Sequence, residues 1–286
     1  MRKYRLSLRK DKRAISPAIS TVIMTAAGIV LIFVAMTFAN SSLNTQMATN
    51  EFTSNKQFML TTGQQIDDIA WTTGRTQTVT YSSKFGGLNF QELALNYTFS
   101  VHTSSGWETL TPTGETGMIL YNMPVSSYSP GNGYFENILF NGSFLQSGSS
   151  APVCQVFGEE KLPMYDGDYT RIVLIPTLRL LSSTITGDQQ NATSYFKFYL
   201  PLLENGTSPY LSQSLTVTGD GITKIIRSGV DQVKINVSFP NTEFDSAFFN
   251  FNSTSITLNS TTNPQITANS VVEFYLGSVI VTIGQA

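Results

Sequence analysis

The sequence predicts an α+β fold: a long N-terminal helix, first apolar and then amphipathic, followed by a mainly antiparallel, β-sandwich-like head over residues 72–286. Three observations predict it. Residues Ala14 to Ala39 carry no charged side chain. From Asn40 to Trp71 the apolar residues recur at helical spacing with no proline among them. From Arg75 onward the hydrophobic period falls to two, and turn-forming residues punctuate the chain.

The charge balance divides the chain before any motif does. Of 286 residues only 13% are charged, against roughly 25% in an ordinary soluble domain. The net charge of −2 hides an asymmetry. Residues 1–13 hold seven basic side chains against Asp11 alone, a net +6, and the remainder carries −8. A weakly acidic, Ser/Thr/Asn-rich surface is a poor nucleic-acid binder, so no nucleic-acid partner is expected. The one cysteine, Cys154, excludes an intramolecular disulfide framework, and the one histidine, His102, argues against a His-rich metal site or a His-based hydrolase.

The first element is the apolar run. Its 26 uncharged residues, as a helix rising about 1.5 Å per residue, reach about 39 Å, enough to cross about 30 Å of hydrocarbon. The basic residues stand only on its N-terminal side, which predicts a cytoplasmic N-terminus and an outward C-terminus. The run is too long for an ordinary secretory signal, although Thr37-Phe38-Ala39 passes as a weak cleavage site. Pro17 is expected in the first helical turn, where its missing N–H costs nothing. Thr21, Thr25, Ala26, Ala27, Gly28 and Ala35 place small side chains among larger ones, permitting close approach of helices. A monomeric anchor of ordinary transmembrane composition would show the same residues.

The second element, 40–71, places Ala48, Phe52, Met59, Ile66 and Ala70 on one face and Asn50, Glu51, Lys56, Gln57, Gln64, Asp67 and Asp68 on the other. This reads as an amphipathic continuation of the helix from Ser16, weakened at Gly63 and ended by Gly74. Asp67-Asp68 is expected to be solvated, or paired with a base of a neighbouring subunit.

In the head, Val79 and Tyr81, then Tyr97, Phe99 and Val101, then Val233, Ile235, Val237 and Phe239 alternate with polar residues as half-buried strands. Ile172–Leu181 and Val271–Ile283 are apolar on both faces and predict central strands, with a bulge or edge at Pro176. Stretches 112–117, 126–134, 147–152, 204–209 and 240–246 predict loops. No sorting tail or second anchor is expected after the last strand.

One junction carries more than secondary structure. Lys12-Arg13-Ala14 followed by Ile15-Ser16-Pro17-Ala18-Ile19-Ser20-Thr21-Val22-Ile23 resembles the archaeal type IV pilin-like proteins, the class that includes adhesive pilins and, more distantly, archaellins. The likeness covers the N-terminal segment and not the head. It implies a basic leader, residues 1–14, removed by a prepilin peptidase between Ala14 and Ile15, so that Lys12, Arg13, Ala14 and Ile15 are the processing residues. It implies a helix over 15–39 that polymerises through Ile15, Pro17, Ile19, Val22, Ile23, Ala27, Gly28, Val30, Leu31, Phe33 and Val34. The partners implied are further copies of the chain, the peptidase, an assembly ATPase with its platform, and the membrane. The large head favours an adhesive pilin over an archaellum. Many bacterial pilins have Glu at the fifth mature position, where this chain has Ile19, so their registration mechanism is not carried over.

Two other readings stay open: a single-pass anchored β-domain with a binding role and no filament, and a secreted β-protein starting near Asn40. No enzyme activity, cofactor or metal is expected. Sequons begin at Asn40, Asn96, Asn141, Asn191, Asn205, Asn236, Asn252 and Asn259. An outward topology makes them acceptor candidates for N-glycosylation, Asn141 and Asn205 best by their turn-like contexts and Asn40 least, being close to the membrane. Asp166-Gly167-Asp168 with Glu159 and Glu160 lacks the EF-hand pattern and reads as a turn before a strand. Gly131-Asn132-Gly133 lacks the Lys-Ser/Thr of a phosphate loop and also reads as a turn. His102 reads as a surface histidine with no acid at obvious spacing, and Cys154 as a buried thiol. Tyr121, Tyr128 and Tyr134 fall in loops, open to inter-subunit or surface contact.

Overall fold

The structure is a computed structural model that describes residues 12–139, 141–164, 167–186, 192–207 and 212–284. Among these residues one long helix, α1 (Lys12–Ile69), is followed by fourteen strands. In chain order these are β1 (Thr76–Thr80), β2 (Gly87–Thr103), β3 (Gly106–Thr109), β4 (Gly114–Pro124), β5 (Tyr134–Leu139), β6 (Leu145–Ser147) and β7 (Cys154–Glu160). After them come β8 (Tyr169–Pro176), β9 (Leu178–Thr186), β10 (Ala192–Asn205), β11 (Ser214–Val230), β12 (Gln232–Ser238), β13 (Ser255–Leu258) and β14 (Ser270–Gly284). The fold is therefore α+β, an apolar N-terminal helix and a mostly β remainder.

The chain divides into two compact units, Met1–Met47 and Ala48–Ala286. In the first, the described side chains belong to the apolar part of α1. In the second, the rest of α1 packs with the strands, so the packing unit begins within the amphipathic stretch. α1 starts at Lys12, four residues before Ser16. Pro17 is thus past the first turn, and the helix forgoes the N–H bond that would reach the Arg13 carbonyl. At the other end α1 stops at Ile69, and a turn in which Thr72 N–H donates to Ile69 O leads to Gly74 at φ +80°.

The strands form two sheets, ordered β1-β11-β14-β10-β9-β6 and β13-β12-β2-β4-β8-β7-β5, with β3 on β2. Most pairs are antiparallel. The exceptions are β10 with β14 and β6 with β9, both parallel. The predicted Val271–Ile283 strand is central, flanked by β10 and β11.

Two apolar clusters explain why some strands read as greasy on both faces. Along β8, Val173 and Ile175 join one cluster while Ile172 and Leu174 join the other. The first cluster draws on both sheets: Phe99 of β2 meets Phe274 of β14 at 4.7 Å between ring centroids, and Phe198 of β10 stacks on Phe274 at 4.8 Å. The second packs Ala48, Phe52, Met59 and Ile66 of α1 and Ala70 of the turn after it, all buried as their spacing predicts, against Ile119, Tyr121 and Val281.

Several expectations need correction. Ile172–Leu181 is two strands, not one. The chain leaves the larger sheet at Pro176, passes Thr177 and enters the smaller sheet as β9. Pro176 has no N–H to donate onward, and its carbonyl instead accepts the buried Tyr97 hydroxyl at 2.9 Å. The predicted loop 112–117 is strand from Gly114. Gly117 is there for space, since a Cβ would fall 2.7 Å from the Gln91 carbonyl and into the Phe90 ring. Residues 204 and 205 likewise continue β10.

An exposed apolar helix segment as the candidate functional site

The candidate site is the apolar part of α1. Its span is long and apolar enough to cross a membrane, and none of its most apolar window is buried. Val22 (68%), Leu31 (68%) and Phe38 (75%) expose most of their surface, and Ile19, Ile23, Val30, Phe33 and Val34 are exposed with them. Ala27 is exposed and Gly28 half-buried, with no other atom within 4 Å of where its Cβ would stand. Lys12, Arg13, Ala14, Ile15 and Pro17 have helical backbone.

An apolar surface this continuous needs its polar groups satisfied locally. Thr25 Oγ1 donates to the Thr21 carbonyl and Thr37 Oγ1 to the Phe33 carbonyl, each at 2.8 Å. Hydroxyls turned back onto the i−4 carbonyl cost little in an apolar surrounding. The chemistry this segment supports is therefore burial against lipid or other apolar helices.

Only two charges occur between Ala14 and Ile66, Glu51 and Lys56, and both tie α1 to the strands. Glu51, assigned to the polar face by its spacing, is instead buried. Its carboxylate accepts N–H bonds from Lys84 (3.1 Å), Phe85 (2.9 Å) and Gly86 (3.1 Å), and the Tyr121 hydroxyl donates to it at 2.7 Å. Its isolation as the single acid in 53 residues was the signal that sequence reasoning passed over. Lys56 pairs with Glu136, which also accepts from Tyr134, and its ammonium lies 5.2 Å from the Phe52 ring centroid. The Lys56 and Tyr134 hydrogen bonds hold the Glu136 carboxyl below its usual range.

The acids expected in solvent also have partners within the chain. Asp67 accepts from Arg179 Nη1 at 2.8 Å and from Trp71 Nε1 at 3.0 Å, and Asp68 pairs with Arg75. Tyr121 lies within β4 and is buried, and Tyr128 packs on Phe52 at 4.9 Å, so Tyr121, Tyr128 and Tyr134 all pack with the helix cluster. His102 does have an acid: its Nδ1 lies 2.7 Å from Asp231 Oδ1, 129 residues away in sequence. Cys154 is buried beneath Gly63, and burial raises its thiol well above the ordinary range. Glu159 is buried and its carboxyl raised by that burial, with Lys161 Nζ at 3.0 Å opposing the shift. Gly131-Asn132-Gly133 is a turn with positive φ at both glycines. In the 166–168 motif Gly167 (φ +127°) leads into β8, while Asp166 lies outside the described residues. Among the described residues no group of three His, Cys, Asp or Glu is placed to hold a metal ion.

The sequons scatter over several elements. Asn40 is exposed on α1, and Asn96 and Asn236 stand half-buried in β2 and β12. Asn141, Asn205 and Asn252 are exposed, Asn259 is half-buried, and Asn191 lies outside the described residues. No protein-family model, curated protein or solved structure matches this chain.

Proposed function

We propose that this chain is a structural subunit of a surface filament of the archaeal type IV pilus kind, an adhesive fibre built on the apolar part of α1 with the β head outside. The observation that carries the reading is the exposed apolar stretch Ile19–Phe38, with the Thr25 and Thr37 hydroxyls satisfied, on a helix whose later residues are packed and pinned by Glu51 and Lys56. Basic residues 1–13 stay cytoplasmic by the positive-inside bias. A prepilin peptidase cuts between Ala14 and Ile15. Assembly machinery then moves the helix from lipid into a bundle of identical helices. That transfer gains little hydrophobic free energy, because lipid is equally apolar, so close packing around Thr21, Ala27, Gly28 and Ala35 drives it. The head, sandwich-like in its two-sheet core, forms the outer face of the fibre.

N-terminal sequencing of the protein from its native membranes, with negative-stain microscopy of the cell surface, tests this. The expected result is a chain beginning at Ile15 in fibres. A retained leader without fibres establishes the anchored β-domain instead, and a start near Asn40 establishes secretion.

A further inference from the structure

We infer that the β13 edge of the larger sheet is a carbohydrate-bearing edge, with N-linked glycan on Asn252 and Asn259 and a neighbouring acceptor at Asn141. The inference rests on the outward topology proposed above. The fold brings together sequons that the sequence scatters. Asn252-Ser253-Thr254 ends where β13 begins, and Asn259-Ser260-Thr261 starts where it ends. The Asn252 N–H donates to the Gly142 carbonyl at 2.8 Å, which sets the Asn141-Gly142-Ser143 sequon against it. Asn236 accepts the Ser255 hydroxyl at 2.6 Å, and Asn96 stands opposite Ser238 in the β2–β12 register.

Placement separates these candidates. Asn141 and Asn252 are exposed and lie between strands, and Asn259, half-buried, follows the last residue of β13 and is outside its ladder. Asn96 and Asn236 sit within ladders, and Asn96 Oδ1 is buried. An acceptor must present its amide to an enzyme, so the loop asparagines qualify and the ladder ones do not. In the transfer, Asn Nδ2 attacks the anomeric carbon of an oligosaccharide phosphate or pyrophosphate donor. The new C–N bond replaces the sugar C–O bond, the carrier phosphate leaves, and one amide proton is lost to the enzyme's base.

The same edge has an unusual need of cover. Among the described residues β13 pairs with β12 alone, so its other side is open. Exposed edges are normally guarded by shortness, charge, proline or a bulge, and β13, four residues long, has its shortness. Here no charged residue occurs between Asp245 and Glu273, whereas β5, at the sheet's far edge, carries Glu136. Bulky hydrated glycans at both ends of β13 add to its shortness a second obstruction to strand addition.

Mass spectrometry of peptides from the protein purified from its native membranes tests the assignment. The expected result is an oligosaccharide mass on the Asn252, Asn259 and Asn141 peptides and none on those of Asn96 and Asn236. Unmodified Asn252 and Asn259 overturn it, and equal occupancy at Asn96 and Asn236 overturns the argument from placement outside the ladders. Protease added to intact cells separates two failures: an unmodified head that is cut leaves the topology standing and sinks this inference alone, while an unmodified, protected head sinks both. For the shielding role, the full-length Asn252→Gln, Asn259→Gln variant in detergent should gain concentration-dependent association in sedimentation. Association equal to that of the native protein overturns that role.

Discussion

The carboxylate of Glu51 gathers three backbone N–H groups and the Tyr121 hydroxyl in a site with little solvent, and so holds the 84–86 segment against α1. Hydrogen bonds to a charged acceptor contribute about 1.5–3 kcal/mol each in favourable cases, and the acceptor's desolvation offsets part of that. Glu51→Gln keeps the shape and removes the charge, so unfolding in urea should show a loss of roughly 1–3 kcal/mol. An unchanged midpoint would mean that the network is incidental. Glu136 predicts a pH dependence of definite sign. Its folded carboxyl titrates below the ordinary value of 4.5, chiefly through hydrogen bonds from Lys56 and Tyr134. The stabilisation is thus complete above pH 4.5 and declines as pH falls through the lower, folded value. Glu159 acts in the opposite sense, since burial raises its carboxyl and its share of stability is lost as pH rises above the ordinary value. Melting temperature measured from pH 7 to pH 3 should fall less for Glu136→Gln than for the native chain.

At the scale of elements, α1 meets the strands through glycines that differ in kind. A Cβ on Gly63 would stand 3.4 Å from the Cys154 Cβ, an ordinary contact, whereas on Gly219 it would fall 2.6 Å from the Ile69 and Thr72 carbonyls. Gly63→Ala should therefore leave stability unchanged or raise it by up to about 1 kcal/mol through helix propensity. Gly219→Ala should lower stability by about 1–3 kcal/mol, because backbone must move. Thermal unfolding of the two variants side by side checks both signs, and a destabilised Gly63→Ala would show that the helix is seated closer than described. The same elements show what was legible in advance. The α1 stripe and the alternation in β12 were readable because one side of each faces a core and the other solvent. The β8–β9 corner was not, because β8 lies between two apolar clusters and the run stays greasy through Leu178, Leu180 and Leu181 while the chain changes sheets. Glu51 and the His102–Asp231 pair were hidden for a different reason. Their partners are distant in sequence: the β2–β12 register brings His102 to Asp231, and the packing of α1 on the strands brings Glu51 to Tyr121 and the 84–86 segment.

For the whole molecule, the division after Met47 separates two kinds of surface. Among the described residues most large exposed apolar side chains lie from Ile19 to Met47, while from Ala48 onward the exceptions are Leu93, Trp107, Ile185, Ile222 and Ile226. A chain beginning at Ala48 should therefore fold and stay soluble without detergent. A chain beginning at Thr72, at the start of the β region, should not. It lacks Phe52, Met59, Ile66 and Ile69, each fully or almost fully buried, and it uncovers Ile119, Tyr121, Ile172, Leu174 and Val281. Burying a side chain of this size stabilises by about 1.5–3 kcal/mol, so four of them match a large part of the roughly 5–15 kcal/mol that holds a typical domain folded. Circular dichroism and gel filtration of the two truncated chains decide the matter. Cooperative unfolding of the 48–286 chain alongside aggregation of the 72–286 chain is the expected pair of results. A folded, soluble 72–286 chain would show that the helix only rests on an independent β-domain and that the Glu51 and Lys56 ties are not needed to hold it.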